Sequence, residues 1–215
     1  MNIETTKTVS RTILDSRNEP ASGIYRLKFK DWEYEGTVKD GIIEGLGTAK
    51  YESGSMYNGY FHNNLPNGFG KFVFSNLSTY EGSFYEGFFE GYGVLTDIDG
   101  TVYQGSFSHG NKHFFGRQKK PSGSYITGAK LGSYVGGYNS GKQSGFGRLE
   151  VSNGLVYEGG LYDNMYNGYG RLQWPNGSVY EGGFKNNRFE GFGTRYDADG
   201  KVVFQGSYVS GKPVR

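Results

Sequence analysis

Hydrophobic and polar positions alternate with period two along most of this chain. In Tyr80-Glu81-Gly82-Ser83-Phe84, residues 80, 82 and 84 fall on one side of an extended segment, and Glu81 and Ser83 on the other. That is the pattern of a strand whose two faces differ. A second segment, such as Gly70-Lys71-Phe72-Val73-Phe74, follows the same rule. Between segments lie Asn63-Asn64, Asp163-Asn164 and Asn186-Asn187, and further on Asp99-Gly100, Asn153-Gly154, Asn176-Gly177 and Asp199-Gly200. Asn, Asp and Gly supply the positive φ that tight hairpin turns need. No stretch combines a 3.6-residue period with caps, so strands joined by short turns are predicted and helices are not.

The pattern returns at a fixed interval. A Tyr-x-Gly triplet opens at Tyr34, Tyr57, Tyr80, Tyr103, Tyr134, Tyr157 and Tyr180, and Phe204 opens a half unit. Apart from the steps to Tyr134 and Phe204, the interval is 23 residues. A second landmark lies inside each unit: Gly45-Leu46-Gly47, Gly68-Phe69-Gly70, Gly91-Tyr92-Gly93, Gly145-Phe146-Gly147, Gly168-Tyr169-Gly170 and Gly191-Phe192-Gly193. The fourth unit reads Phe114-Phe115-Gly116 and loses the first glycine. A fixed period describes an array of one supersecondary unit, here a hairpin. A tyrosine ring needs a flat surface, and glycine on the same pleat offers bare backbone. Ring-on-glycine packing between Tyr-x-Gly and Gly-x-Gly is therefore expected throughout.

Three regions depart from the period. Residues 1–20 carry no repeat and read as a flexible N-terminal tail; residues 21–33 alternate well enough for one capping strand. The array then runs over 34–215, as about seven repeats and a terminal half repeat. It is irregular at 114–133, where eight extra residues, 126–133, precede the next unit. Pro213 on the last strand would blunt further pairing.

Composition explains the thin core this implies. The 215 residues include 38 glycines, against roughly 15 at the usual ~7% share, with 19 tyrosines and 16 phenylalanines. Burial must come from aromatic rings laid on glycine backbone. The net charge of +2 argues against nucleic acid as a partner, which calls for a basic stripe. With no cysteine there is neither disulfide nor thiolate metal site. No apolar run reaches the ~20 residues of a spanning helix, and the N-terminus lacks the apolar core of a signal peptide, so the cytoplasm is the expected compartment.

Both triplets in register resemble the MORN repeat family, whose units run Tyr-Glu-Gly-x-aromatic, Gly-aromatic-Gly-x-apolar, Asp-Gly. YEGSF and GYGVL at 80–95, YEGGL and GYGRL at 157–172, and YEGGF and GFGTR at 180–195 carry the likeness. The resemblance covers 34–215. It implies an all-β fold, an elongated, twisted single-layer antiparallel sheet of stacked 23-residue hairpins. Two strands per unit at ~4.8 Å each would give roughly 70–80 Å for the array. The resemblance further implies a scaffold or adaptor in a cilium, axoneme or other cytoskeletal assembly. It also implies a protein partner with a helical or extended segment, homodimerisation through terminal repeats, or attachment to membrane phospholipid.

Two candidate sites follow. Phe69, Tyr92, Phe115, Phe146, Tyr169 and Phe192, with Leu46, sit between the paired glycines and so point away from the ring-packed face. Either they form an open aromatic stripe for a partner, or the sheet coils over them as a second thin core. Around the irregular unit, Lys112, Arg117, Lys119 and Lys120, with His113, form a basic cluster suited to lipid or an acidic partner.

Catalysis has little to build on. Gly136, Gly141 and Lys142 mimic a phosphate-binding loop, but Gln143 stands where Ser or Thr must hold Mg²⁺ and no helix follows. His62, His109 and His113 lack a third metal ligand or a nucleophile. Glu35, Glu81, Glu158 and Glu181 share one repeat position and read as an exposed ladder. No catalytic residue, metal or cofactor is assigned.

Overall fold

A computed structural model describes residues 12–121 and 131–214. Among these residues there is no helix, and seventeen strands account for the ordered backbone. The chain divides into two compact units. One takes in the residues up to Ile98 together with Gln104–Asn111; the other takes in Asp99–Tyr103 and the residues from Lys112.

The first unit contains β1 (Gly23–Lys28), β2 (Trp32–Lys39), β3 (Ile42–Tyr51), β4 (Met56–His62), β5 (Leu65–Val73), β6 (Thr79–Tyr85), β7 (Phe88–Thr96) and most of β8 (Val102–Ser108). From β1 to β7, each strand pairs antiparallel with the next. In the second unit the same order runs through β9 (Asn111–Lys119), β10 (Leu131–Asn139), β11 (Lys142–Val151), β12 (Val156–Tyr162), β13 (Met165–Gln173), β14 (Val179–Lys185), β15 (Arg188–Tyr196), β16 (Val202–Val209) and β17 (Lys212–Pro213). The all-β fold of stacked hairpins read from the period is the fold observed.

Turn chemistry fixes each hairpin. Asn63-Asn64, Glu86-Gly87, Ser140-Gly141, Asp163-Asn164 and Asn186-Asn187 all have positive φ at both positions. That geometry matches the right-handed twist of the strands it joins. Asn64, Asn164 and Asn187 add a longer tie. Their side-chain oxygens accept from the backbone N–H of Ile43, Gln143 and Tyr166, each in the preceding repeat. The segment resembling a phosphate loop is thus the β10–β11 turn.

Glycine forms a continuous line across the strands of each unit. Gly36, Gly47, Gly59, Gly70, Gly82 and Gly93 are successive cross-strand partners in the first unit. In the second, the line runs through Gly116, Gly136, Gly147, Gly159, Gly170, Gly182, Gly193 and Gly206. Tyr34, Tyr57, Tyr80, Tyr103, Tyr157 and Tyr180 lie almost fully buried on this bare strip. Most of their hydroxyls also find a carbonyl three residues on. Tyr80 Oη donates to Ser83 O at 2.8 Å and Tyr157 Oη to Gly160 O at 2.7 Å, and Tyr34, Tyr57, Tyr134 and Tyr180 repeat the contact. The accepting residue stands opposite a bulge in the next strand, where Gly159 and Leu161 pair with Gly170 and Tyr166, and Gly82 and Phe84 with Gly93 and Phe89. Pairing is interrupted there and its carbonyl takes the hydroxyl, so burying the polar tip leaves it hydrogen-bonded.

The two glycines of each Gly-x-Gly triplet have different tasks. The second lies beneath the tyrosine, as expected. The first, Gly45, Gly68, Gly91, Gly145, Gly168 or Gly191, has positive φ and does not lie against a core tyrosine. Its role is backbone conformation within the bulge, not packing of the core ring.

Residues 12–20, read from the sequence as part of a tail, make defined contacts. Ile13 N–H donates to Gly41 O, Ala21 N–H to Ile13 O, and Gly41 N–H to Ala21 O. Leu14 and Pro20 form a bridge, and Asp15 closes the turn by accepting from the N–H groups of Arg17 and Glu19. Those bonds hold the Asp15 carboxyl below its usual range, Glu19's contribution being the larger. Residues 1–11 lie outside the described residues. Residues 21–33, where one capping strand is expected, hold β1 and the first two residues of β2, and β1 pairs with β2 over Gly23–Lys28.

An aromatic face opposite the tyrosine core

Strand alternation sends every second side chain away from the ring-packed layer. Phe69, Tyr92, Phe115, Phe146, Tyr169 and Phe192 all take that direction and are 57–74% exposed. Leu46 continues the row in the first repeat and is also exposed. Among the described residues nothing packs over these rings. Their cross-strand partners explain how the rings are held. Phe146 stands opposite Gly160, Tyr169 opposite Gly183 and Phe69 opposite Ser83, small residues over which a ring can lean.

Charged residues flank the ring row and are paired across strands. Arg148 Nε donates to Glu158 at 2.8 Å and its Nη1 to Glu150 at 3.0 Å. Arg171 Nε donates to Glu181 at 3.1 Å, and Lys71 lies 3.7 Å from Glu81. The Glu ladder foreseen from sequence is thus half of a ladder of surface ion pairs. In the first unit, a cleft of about 350 Å³ opens between Phe69 and Tyr92. Gly82 and Gly93 line it together with Thr79, Glu81, Val94 and Thr96.

The basic cluster does not form one patch. Lys112 belongs to the ring-packed side: its ammonium lies 4.7 Å from the centroid of Tyr103 and donates to Gln118 at 2.8 Å. In other repeats this position, nine residues after the landmark tyrosine, carries Phe89, Tyr166 or Phe189, and each stacks on its tyrosine at 3.7–3.8 Å. Lys112 fills the same slot by a cation–π contact. Lys120 is also buried, with its ammonium 3.6 Å from Asp99. Only Arg117 and Lys119 remain on the open face. Strand alternation separates what proximity in sequence suggested.

Phe114 is the strained member of the site. Its φ is +54°, at the place where the other repeats have the first glycine of the triplet. A bulky residue in the left-handed region is a marked outlier, and its ring is 70% exposed. Phe114→Gly is expected to stabilise the protein by about 0.5–1 kcal/mol in chemical denaturation, after the entropic cost of glycine is deducted. Phe114→Ala should give no such gain, because alanine retains the Cβ that makes this φ costly.

A family model for the MORN repeat matches residues 34–56, 57–79, 80–102, 103–125, 134–156, 157–179 and 180–202. The chain belongs to the MORN repeat family. The seven matches begin at the seven landmark tyrosines, so the family's unit is the hairpin described above. MORN arrays are all-β binding and scaffold modules, which places this protein among interaction scaffolds in the broad sense. No curated protein sequence matches the chain. Solved structures similar to it include the TCP domain of SAS-4 (dCPAP) of Drosophila melanogaster, in complex with a proline-rich motif of Ana2 (dSTIL). That likeness has 9% identity and a TM-score of 0.43, covering 85% of this chain and 89% of that one. The wild-type TCP10 domain of Danio rerio CPAP is similar at 18% identity and a TM-score of 0.31, over 91% and 93% of the two chains.

Proposed function

We propose that this protein is a non-enzymatic scaffold that binds a partner protein along its aromatic face, within a ciliary, axonemal or other cytoskeletal assembly. One observation supports the binding site above the rest: large rings stand exposed at one per repeat, on a sheet whose opposite face is packed solid. Exposed aromatic residues at regular spacing give a partner contact area at low entropic cost, because each ring has only two side-chain torsions to fix. The glycine line and the buried tyrosines hold these rings in place. The cytoskeletal setting is supported by family resemblance alone.

Phe146→Ala combined with Tyr169→Ala tests the site. Both rings are more than two-thirds exposed, so thermal denaturation should shift by no more than a few degrees. Partner capture from native extract should fall by roughly 30-fold or more, as for hot-spot residues worth about 2 kcal/mol. Capture undiminished in a folded double variant would remove the aromatic face as the site.

A further inference from the structure

Phe146, Tyr169 and Phe192 occupy equivalent positions in three consecutive 23-residue repeats, so their pitch is set by the sheet. Two strands separate successive rings, giving a pitch of about 9.6 Å. We propose that this ladder binds a proline-rich segment in the polyproline II conformation, one helical turn per repeat. The proposal rests on the scaffold reading and names the chemistry of the partner.

Pitch separates the candidate backbones. A polyproline II helix rises ~3.1 Å per residue with three residues per turn, so the same face recurs every ~9.3 Å. That matches the ladder to within about 0.3 Å per repeat. An extended strand returns to one face every ~6.6 or ~13 Å, and neither fits. An α-helix presents a seam every seven residues, or ~10.5 Å. To project that onto 9.6 Å, it must tilt by roughly 24°. It would then drift about 8 Å sideways over the three rings and leave the stripe.

Polarity and charge agree with the pitch. A polyproline II segment has no internal hydrogen bonds and offers a full set of carbonyl acceptors, with no net charge from proline. The stripe offers donors. Tyr169 carries an exposed hydroxyl, and the guanidinium groups of Arg148 and Arg171 each have five N–H groups, of which Glu150, Glu158, Glu181 and Gln173 engage only part. The carboxylates beside the rings are already paired with these arginines, so a lysine-rich segment would have to compete for them. Aromatic rings flanked by donors are the general means by which proline-rich segments are gripped.

The test is an amide NMR titration of the full chain with a polyproline peptide of about 12 residues, four helical turns. A Gly/Ser peptide and an amphipathic helical peptide of equal length serve as comparisons. Saturable shifts are expected at Phe146, Gly147, Tyr169 and Gly170 with polyproline and not with Gly/Ser. The Phe146→Ala, Tyr169→Ala double variant should weaken them at least tenfold. Saturation of the same amides by the helical peptide alone overturns the polyproline assignment and leaves the scaffold reading intact. No shift with polyproline, or shifts confined to other surfaces, also overturns it. The scaffold reading itself falls only if partner capture is insensitive to the double variant.

Discussion

Gly170→Ala should cost this protein about 3 kcal/mol or more, lowering its melting temperature by roughly 6–12 °C. A Cβ at position 170 would lie 2.6 to 2.8 Å from Oη, Cε2 and Cζ of Tyr157. That ring has nowhere to go. Tyr166 stacks on it at 3.7 Å, Phe184 meets it edge-on at 5.2 Å, and its hydroxyl is tied to Gly160 O. The strand cannot retreat either, since Gly170 is paired with Gly159 on one side and Gly182 on the other. In a repeat array stability is nearly a sum of neighbour terms, so damage at one hairpin weakens both interfaces it makes. Gly200→Ala is the control: its φ is +80° but no atom stands near the added Cβ, and the loss should be about 1 kcal/mol. Equal losses at the two sites in denaturant titrations would mean that glycine serves backbone conformation alone.

Alkaline solution should unfold the protein steeply. Burial pushes the hydroxyls of Tyr34, Tyr134 and Tyr180 up to about 12, and those of Tyr57, Tyr80, Tyr103 and Tyr157 higher still. Below pH ~10 these groups are protonated in both states and contribute no pH dependence. Above it the unfolded chain releases protons that the folded chain retains, so stability falls as pH rises towards the folded values. Each group contributes a slope of up to ~1.4 kcal/mol per pH unit. Several acting together would exhaust a typical stability of ~5–15 kcal/mol before pH 12. Tyrosinate absorbance and the strand circular dichroism signal, followed together, should change in one cooperative transition. The core tyrosines titrating near pH 10 with the sheet signal retained would contradict the buried stack.

The hairpins and their repeat were legible in the sequence because both depend on local chemistry. A turn with two positive φ angles selects Asn, Asp and Gly, and a ring laid on backbone selects glycine at a fixed offset. What escaped depends on how strands meet. Gly91 and Gly93 look equivalent in the sequence, yet Gly91 lies within a bulge of its own strand, which gives it a conformational role and leaves the packing role to Gly93. Lys112 reads as part of a basic cluster until its repeat position, shared with Phe89 and Tyr166, identifies it as a ring partner. That signal was present in the alignment of the units. The contacts of residues 12–20 follow no period, because they arise from bonds to Gly41 and its neighbours rather than from alternation. Whether the aromatic row is open was undecidable from alternation, which specifies direction and not what lies above the sheet.

The central claim is that a partner lies on the aromatic face, and photo-cross-linking from that face tests it most directly. A photoreactive side chain would replace Tyr169 in one variant and Lys201, on an exposed turn, in another. After illumination in native extract, position 169 should yield a recurring adduct with one protein, and position 201 should not. The same adducts from both positions, or none from 169 while the partner is still captured, would show that the partner binds elsewhere.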